Sequence, residues 1–142
     1  TKGVDADISD AVTEETLEAT VAFAKRLADR NDAVVAITGA IDIVADRDKA
    51  YIIRNGHPQM AKVSGTGCML SALIAGYCGA NPEQLLYATA AAVCLMGVSG
   101  ELAYERMIRN ASGTSSYRSY IIDEISKMSA ETLERGAKIE SR

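Results

Sequence analysis

The strongest constraint on this chain is an imbalance between helix surface that asks for burial and sheet that could bury it. Met69, Leu70, Ala72, Leu73, Ile74, Ala75 and Tyr77 leave almost no polar face on the segment they share, and a helix apolar all round belongs in an interior. Residues 88–100 are equally apolar, with Glu101 soon after; the run is too short for a membrane span and reads as a second buried helix. Against these stands Ala33-Val34-Val35-Ala36-Ile37, a short β-branched run expected to form a strand buried on both faces, as in a parallel sheet between helices. The expectation is a chain that is incomplete, or that shares its core with a partner.

The remaining elements follow from caps and turns. Thr13 is placed to cap a first helix, Glu14 and Glu15 sit in its positive first turn, and Asn31 ends it. Leu17, Val21, Ala24, Leu27 and Ala28 give that helix one apolar face. Residues 41–45 and 49–54 read as a hairpin around Asp46-Arg47-Asp48. Asn55-Gly56-His57-Pro58 is a second turn, residues 59–63 a short strand, and Gly79 a helix stop. Asn81-Pro82-Glu83 restarts a helix that is expected to reach about Arg109, with Gly97 and Gly100 allowing close packing or a kink. Residues 111–116 read as a loop and 117–128 as a helix with Tyr120, Ile121, Ile125 and Met128 inward; Ser129 caps a last short helix. Helices alternating with strands indicate α/β layers, and no repeat or linker divides residues 1–142.

Composition excludes several functions. A net charge of −4 with scattered Lys and Arg argues against nucleic acid, which needs a basic face. Cys68, Cys78 and Cys94 include no C-x-x-C pair, so neither a disulfide framework nor a zinc site is expected and a reducing, cytoplasmic setting fits. His57 is the only histidine, which leaves no material for a histidine metal cage. Residues 1–10 are polar and acidic, unlike a signal peptide.

Ser64-Gly65-Thr66-Gly67-Cys68 stands between a strand-like segment and an apolar helix. Glycines allow a tight turn and close approach of a ligand, and a helix N-terminus offers unpaired N–H groups and partial positive charge. Together these suit a phosphate or a phosphoryl-transfer transition state; a tight turn required only for packing is the competing reading. The pattern is neither a Walker A loop nor a dinucleotide G-x-G-x-x-G. Cys68 is either a small buried hydrophobe or a reactive thiol at a helix start. Cys78 and Cys94, on apolar helices, read as packing residues.

This loop resembles that of the ribokinase-like small-molecule kinases, which carry Gly-Ala-Gly-Asp here, the loop serving as anion hole and the Asp as base. The hydroxyethylthiazole kinases look like this but have Cys at the Asp position, as Cys68 does. Ala36-Ile37-Thr38-Gly39 with Asp42-Ile43-Val44, Asn55-Gly56-His57 and Gly3-Val4-Asp5-Ala6 resemble further segments of that family, in the same order. From about Gly3 to Ser129 the chain thus looks like the carboxyl-terminal half of a hydroxyethylthiazole kinase, with part of a ribokinase-like three-layer α/β/α sandwich. The resemblance implies ATP- and magnesium-dependent phosphorylation of the hydroxyethyl group of a methylthiazole in thiamine biosynthesis or salvage. It also implies a homotrimer whose sites form at subunit contacts. Thr38 resembles a position contacting ATP phosphates, Gly65 one contacting the thiazole, Gly65, Thr66 and Gly67 the anion hole, and Cys68 the catalytic position. The family's magnesium ligands and much of its thiazole pocket belong to the other half, so no metal ligand is assigned. Asp5 and His57 match the pattern, but a loop hydrogen bond explains the first and a turn the second. Residues 113–116 lack the family's proline and receive no role. A hydroxymethylpyrimidine kinase or nicotinamide-hydrate dehydratase is a less fitting alternative, because both have Asp where Cys68 stands. A non-catalytic assembly subunit of the same fold is the alternative from another class.

Overall fold

The computed structural model describes residues 12–142; the segment around Asp5 lies outside the described residues. The element order is α1 (Leu17–Asn31), β1 (Val35–Ile37), β2 (Asp42–Ala45), β3 (Ala50–Ile53), a 3-10 helix (Pro58–Lys62), α2 (Thr66–Ala80), α3 (Leu85–Arg109), α4 (Thr114–Lys127), α5 (Ala130–Gly136) and β4 (Ile139–Ser141). The four strands form one antiparallel sheet in the order β1-β2-β3-β4.

Strand alternation sorts the sheet into two faces. Ile43, Ala45, Ala50 and Ile52 pack beneath α1 with Leu17, Val21 and Ala24. Val44, Tyr51 and Ile53 point the other way, onto Leu86, Ala90, Val93 and Cys94 of α3. The register Ile43↔Ile52 and Val44↔Tyr51 keeps each set on its own side. Beyond α3 lie α2 and α4, closed around Val63, Met96, Ala103, Met107, Tyr117 and Ile121. Helix, sheet and helices therefore make three layers, as the α/β reading expects. By length and composition α3 could cross a membrane, but 72% of its most apolar 18-residue stretch is buried in the fold.

Three expectations are corrected. The run 33–37 forms a strand that lies at the edge of the sheet, antiparallel to β2 and half-exposed; α3 lies over β2 and β3 and leaves Ala36 exposed. Residues 59–63 are not a strand, because Pro58 opens a 3-10 turn whose Gln59 N–H is bonded to His57 Nδ1 at 3.1 Å. Most consequential, α2 has no buried residue at all: Met69, Leu70, Leu73 and Ile74 are partly covered by neighbouring elements, while Ala72, Ala75 and Gly76 are exposed.

Smaller adjustments concern boundaries. A turn closed by Gln84 N–H to Asn81 C=O precedes α3, which starts at Leu85 and not at Pro82. Thr13 and Thr16 bond to each other before α1 begins at Leu17. Ser129 caps α5 as expected, its hydroxyl accepting from Thr132 N–H at 3.1 Å.

Candidate active site

A cavity of roughly 540 Å³ opens between the end of the sheet, α3 and the start of α2. One wall is the β1–β2 turn, with Thr38, Gly39, Ala40 and Asp42; the opposite wall includes Thr66 and Gly67. The structure therefore brings the Thr38 turn and the glycine loop to one space, although 28 positions separate Thr38 from Thr66. Gly65 and Cys68 are exposed beside the cavity and are not part of its wall.

Each wall is built by local chemistry. Asp42 opens β2 on the same face as Val44, so alternation turns it toward the α3 side. Its Oδ1 accepts the Gly39 N–H at 2.9 Å and pins the turn that carries Thr38. Burial pushes this carboxyl up to about 6, against the smaller lowering effect of the Gly39 bond.

On the other wall Gly65 caps α2 at φ +92°, a left-handed conformation that favours glycine. No side chain caps this helix and no acid lies in its first turn. Its first N–H to C=O bond runs from Met69 to Gly65 at 3.0 Å, so the amides of Thr66, Gly67 and Cys68 have no acceptor within the helix. Gly67 differs from Gly65. Its φ is ordinary, and a Cβ built there would meet nothing within 4 Å. Among the described residues neither strain nor packing accounts for a glycine at a helical position where alanine would be better by about 1 kcal/mol.

His57 is a turn residue, as expected. Its Nδ1 accepts from Gln59, and its ring stacks on Tyr104 with centroids 3.5 Å apart. Cys68 is exposed, so the buried-hydrophobe reading does not hold among the described residues; Cys94 is buried, and Cys78 lies partly covered against Thr89. Gly113 is the extended N-cap of α4. Reading the sequence assigned no role to Asp42, Asn55 or Glu101. Strand parity was the available signal for the first two: Asp42, Val44 and then Ile53, Asn55 share the α3 face. Glu101, the acid that ends an apolar run, carried no such signal.

Magnesium finds little here. Among the described residues no group of three or more His, Cys, Asp or Glu side chains comes together, and Asp42 is the only carboxylate in the described cavity wall. A single carboxylate holds magnesium only together with nucleotide phosphates and water, not as a protein cage.

The layers, the bare helix N-terminus and the glycine loop facing a second turn across a cavity define an α/β protein of the ribokinase-like class. The solved structure of a hydroxyethylthiazole kinase protein from Pyrococcus horikoshii OT3 superposes with a TM-score of 0.78 at 30% identity, over 91% of this chain and 48% of that one. The hydroxyethylthiazole kinase family profile matches residues 1–131, and the chain belongs to that family. A hydroxyethylthiazole kinase of Clostridium acetobutylicum is 52% identical over 99% of this chain and 51% of its own length. One from Desulfovibrio desulfuricans is 42% identical over 88% of this chain and 46% of its own. The chain thus spans about half the length of the curated relatives it matches.

Proposed function

We propose that this chain forms the carboxyl-terminal, anion-hole half of an enzyme that transfers the γ-phosphoryl group of ATP to the primary alcohol of a hydroxyethyl-methylthiazole. The observation that carries the reading is Gly67, a glycine kept without strain or packing cause in the wall of a cavity beside unpaired helix amides. A ligand approaching the backbone supplies the missing cause. In this reading Thr38 meets the ATP phosphates, Gly65 the thiazole, and the amides of Gly65, Thr66 and Gly67 the charge that develops on the transferring group. The alcohol oxygen bonds to the γ-phosphorus as the bond to the ADP oxygen breaks. Cys68, as thiolate, takes the hydroxyl proton. Magnesium would enter with ATP as the counter-ion of its phosphates. The exposed faces of α2 and the edge strand β1 favour a fold completed by further chain; the homotrimer and the cytoplasmic setting are proposed on the family resemblance alone. The 142-residue chain alone is accordingly expected to be inactive.

The test is made in the complete protein. Gly67→Ala should leave the melting temperature unchanged or raised while phosphorylation collapses, because the methyl group occupies ligand space and nothing else. Cys68→Ala should lower kcat by about 10²–10⁴-fold with little change in either KM, and Cys68→Asp should keep or raise it. Full activity in Gly67→Ala would sink the anion-hole reading; an intact rate in Cys68→Ala would sink the catalytic thiol.

A further inference from the structure

The segment joining β3 to the glycine loop lies on α3 and is held there at successive points. At the first, Asn55 is 6% exposed. Its Nδ2 donates to Gly136 C=O at 2.9 Å and Glu101 Oε1 at 3.2 Å; its Oδ1 accepts from Lys138 N–H at 2.7 Å and Cys94 Sγ at 3.4 Å. The next residue, Gly56, gives its N–H to the same Glu101 Oε1 at 2.8 Å. Glu101 Oε2 in turn accepts from Lys138 Nζ at 2.9 Å. At the second point α3 is notched. A Cβ on Gly97 would stand 2.6 Å from Asn55 Cβ, and one on Gly100 would stand 2.2 Å from Met60 Sδ. At the third, Val63 is 5% exposed and packs with Met96, Met107 and Tyr117. Only Ser64 and Gly65 then remain before α2.

We propose that Glu101 is a positioning residue for the anion-hole loop: by bonding both Asn55 and Gly56 it seats residues 55–63 in the α3 notch and thereby sets where the Gly65–Gly67 amides stand relative to the Thr38 turn. Asn55, Gly56, His57 and Met60 line the same cavity as Thr38 and Gly67, so a shift of this segment changes the gap between the two walls. The carboxylate touches no reacting atom in this scheme. Its action runs through backbone it holds. The proposal rests on the kinase reading of the loop for its catalytic consequence, not for its geometric one.

The experiment compares four variants of the complete protein. Glu101→Ala and Gly97→Ala should each lower kcat by about 100-fold, the scale of a misplacement near 1 Å, with the KM for ATP within about twofold, because Thr38 is untouched. Glu101→Gln keeps an acceptor oxygen for Gly56 and should recover most of that loss. Val21→Ala, beneath the opposite face of the sheet, should lower the melting temperature and leave kcat alone. Glu101→Ala keeping wild-type kcat, or Glu101→Gln as slow as Glu101→Ala, overturns the proposal. Should Gly97→Ala fail to fold, the Glu101 pair decides. Amide hydrogen exchange separates this from failure of the kinase reading. If the wild type does not phosphorylate the thiazole alcohol, that reading fails, yet Glu101→Ala must still speed exchange at Gly56, Val63 and Met69, whose N–H groups are bonded in the wild type, while residues 42–45 stay protected. Unchanged exchange at Val63 and Met69 overturns the positioning role whatever the activity.

Discussion

α2 is the more apolar of the two long helices around the cavity, with no charged residue against the four of α3, and yet it is the less covered. α3 has fifteen buried residues and α2 none. α3 packs against one face of the sheet and against both α2 and α4, whereas α2 rests on its neighbours by one side and turns Ala72, Ala75, Gly76 and Gly79 outward. Hydrophobic patterning reports that a surface is suited to burial. It does not report which surface covers it. A like contrast holds at the cavity: Asp42 in its wall is sheltered enough for its carboxyl to be shifted, while Cys68 beside it is exposed.

The largest expected effect tests the α3 side. Leu95 is 4% exposed, and Leu95→Ala should destabilise the 142-residue chain by about 2–5 kcal/mol in urea titration. The partly covered Leu73→Ala should take about 1–2 kcal/mol. Equal losses would break the comparison by showing α2 as enclosed as α3. Next, Gly97→Ala should destabilise by about 1–3 kcal/mol, since the new methyl overlaps Asn55 backbone as well as side chain.

A third measurement sharpens the contrast across the cavity. Asp42 titrates at about 6 when folded and near about 3.9 when unfolded. Between those values the folded chain holds a proton that the unfolded chain has lost, so stability falls as pH rises from about 4 through about 6 and then levels. Asp42→Asn keeps an acceptor for Gly39 and removes that slope; above pH 7 it should be more stable by up to about 3 kcal/mol. A pH profile identical to wild type would refute the burial of this carboxyl.

The smallest effect is the most diagnostic for α2. A Cβ on Gly76 meets nothing within 4 Å, so Gly76→Ala should stabilise the 142-residue chain by about 0.5–1 kcal/mol through helix propensity alone. In the complete protein the same change should be neutral or destabilising if another surface closes on α2. Stabilisation in both would leave α2 without its expected cover.

Much of the architecture was legible because it is local. The α1 face, the 41–54 hairpin, the glycine turn before α2 and the Ser129 cap each follow from residues a few positions apart, and short-range sterics and hydrogen bonds decide them. The Thr38 turn and the loop at Gly65–Cys68 were likewise visible as motifs. Residues 59–63 were misread because His57 and Pro58 impose a 3-10 turn that outweighs a short apolar pattern. β4 was missed because Ile139-Glu140-Ser141 has almost no strand signal of its own and forms by pairing with β3.

The sequence by itself determined that the main helices and the 41–54 hairpin form, which faces are apolar, and which loop can leave helix amides bare, because each depends on contacts within a turn or two of chain. Only the tertiary structure decided that Thr38 and Gly67 share a cavity, that Asp42 is sheltered in its wall, and that Glu101 reaches back to Asn55 and Gly56 across 45 positions or more. Those relations arise when the sheet and α3 close on each other, and the geometry of that closure is a property of the packed layers, not of any one segment.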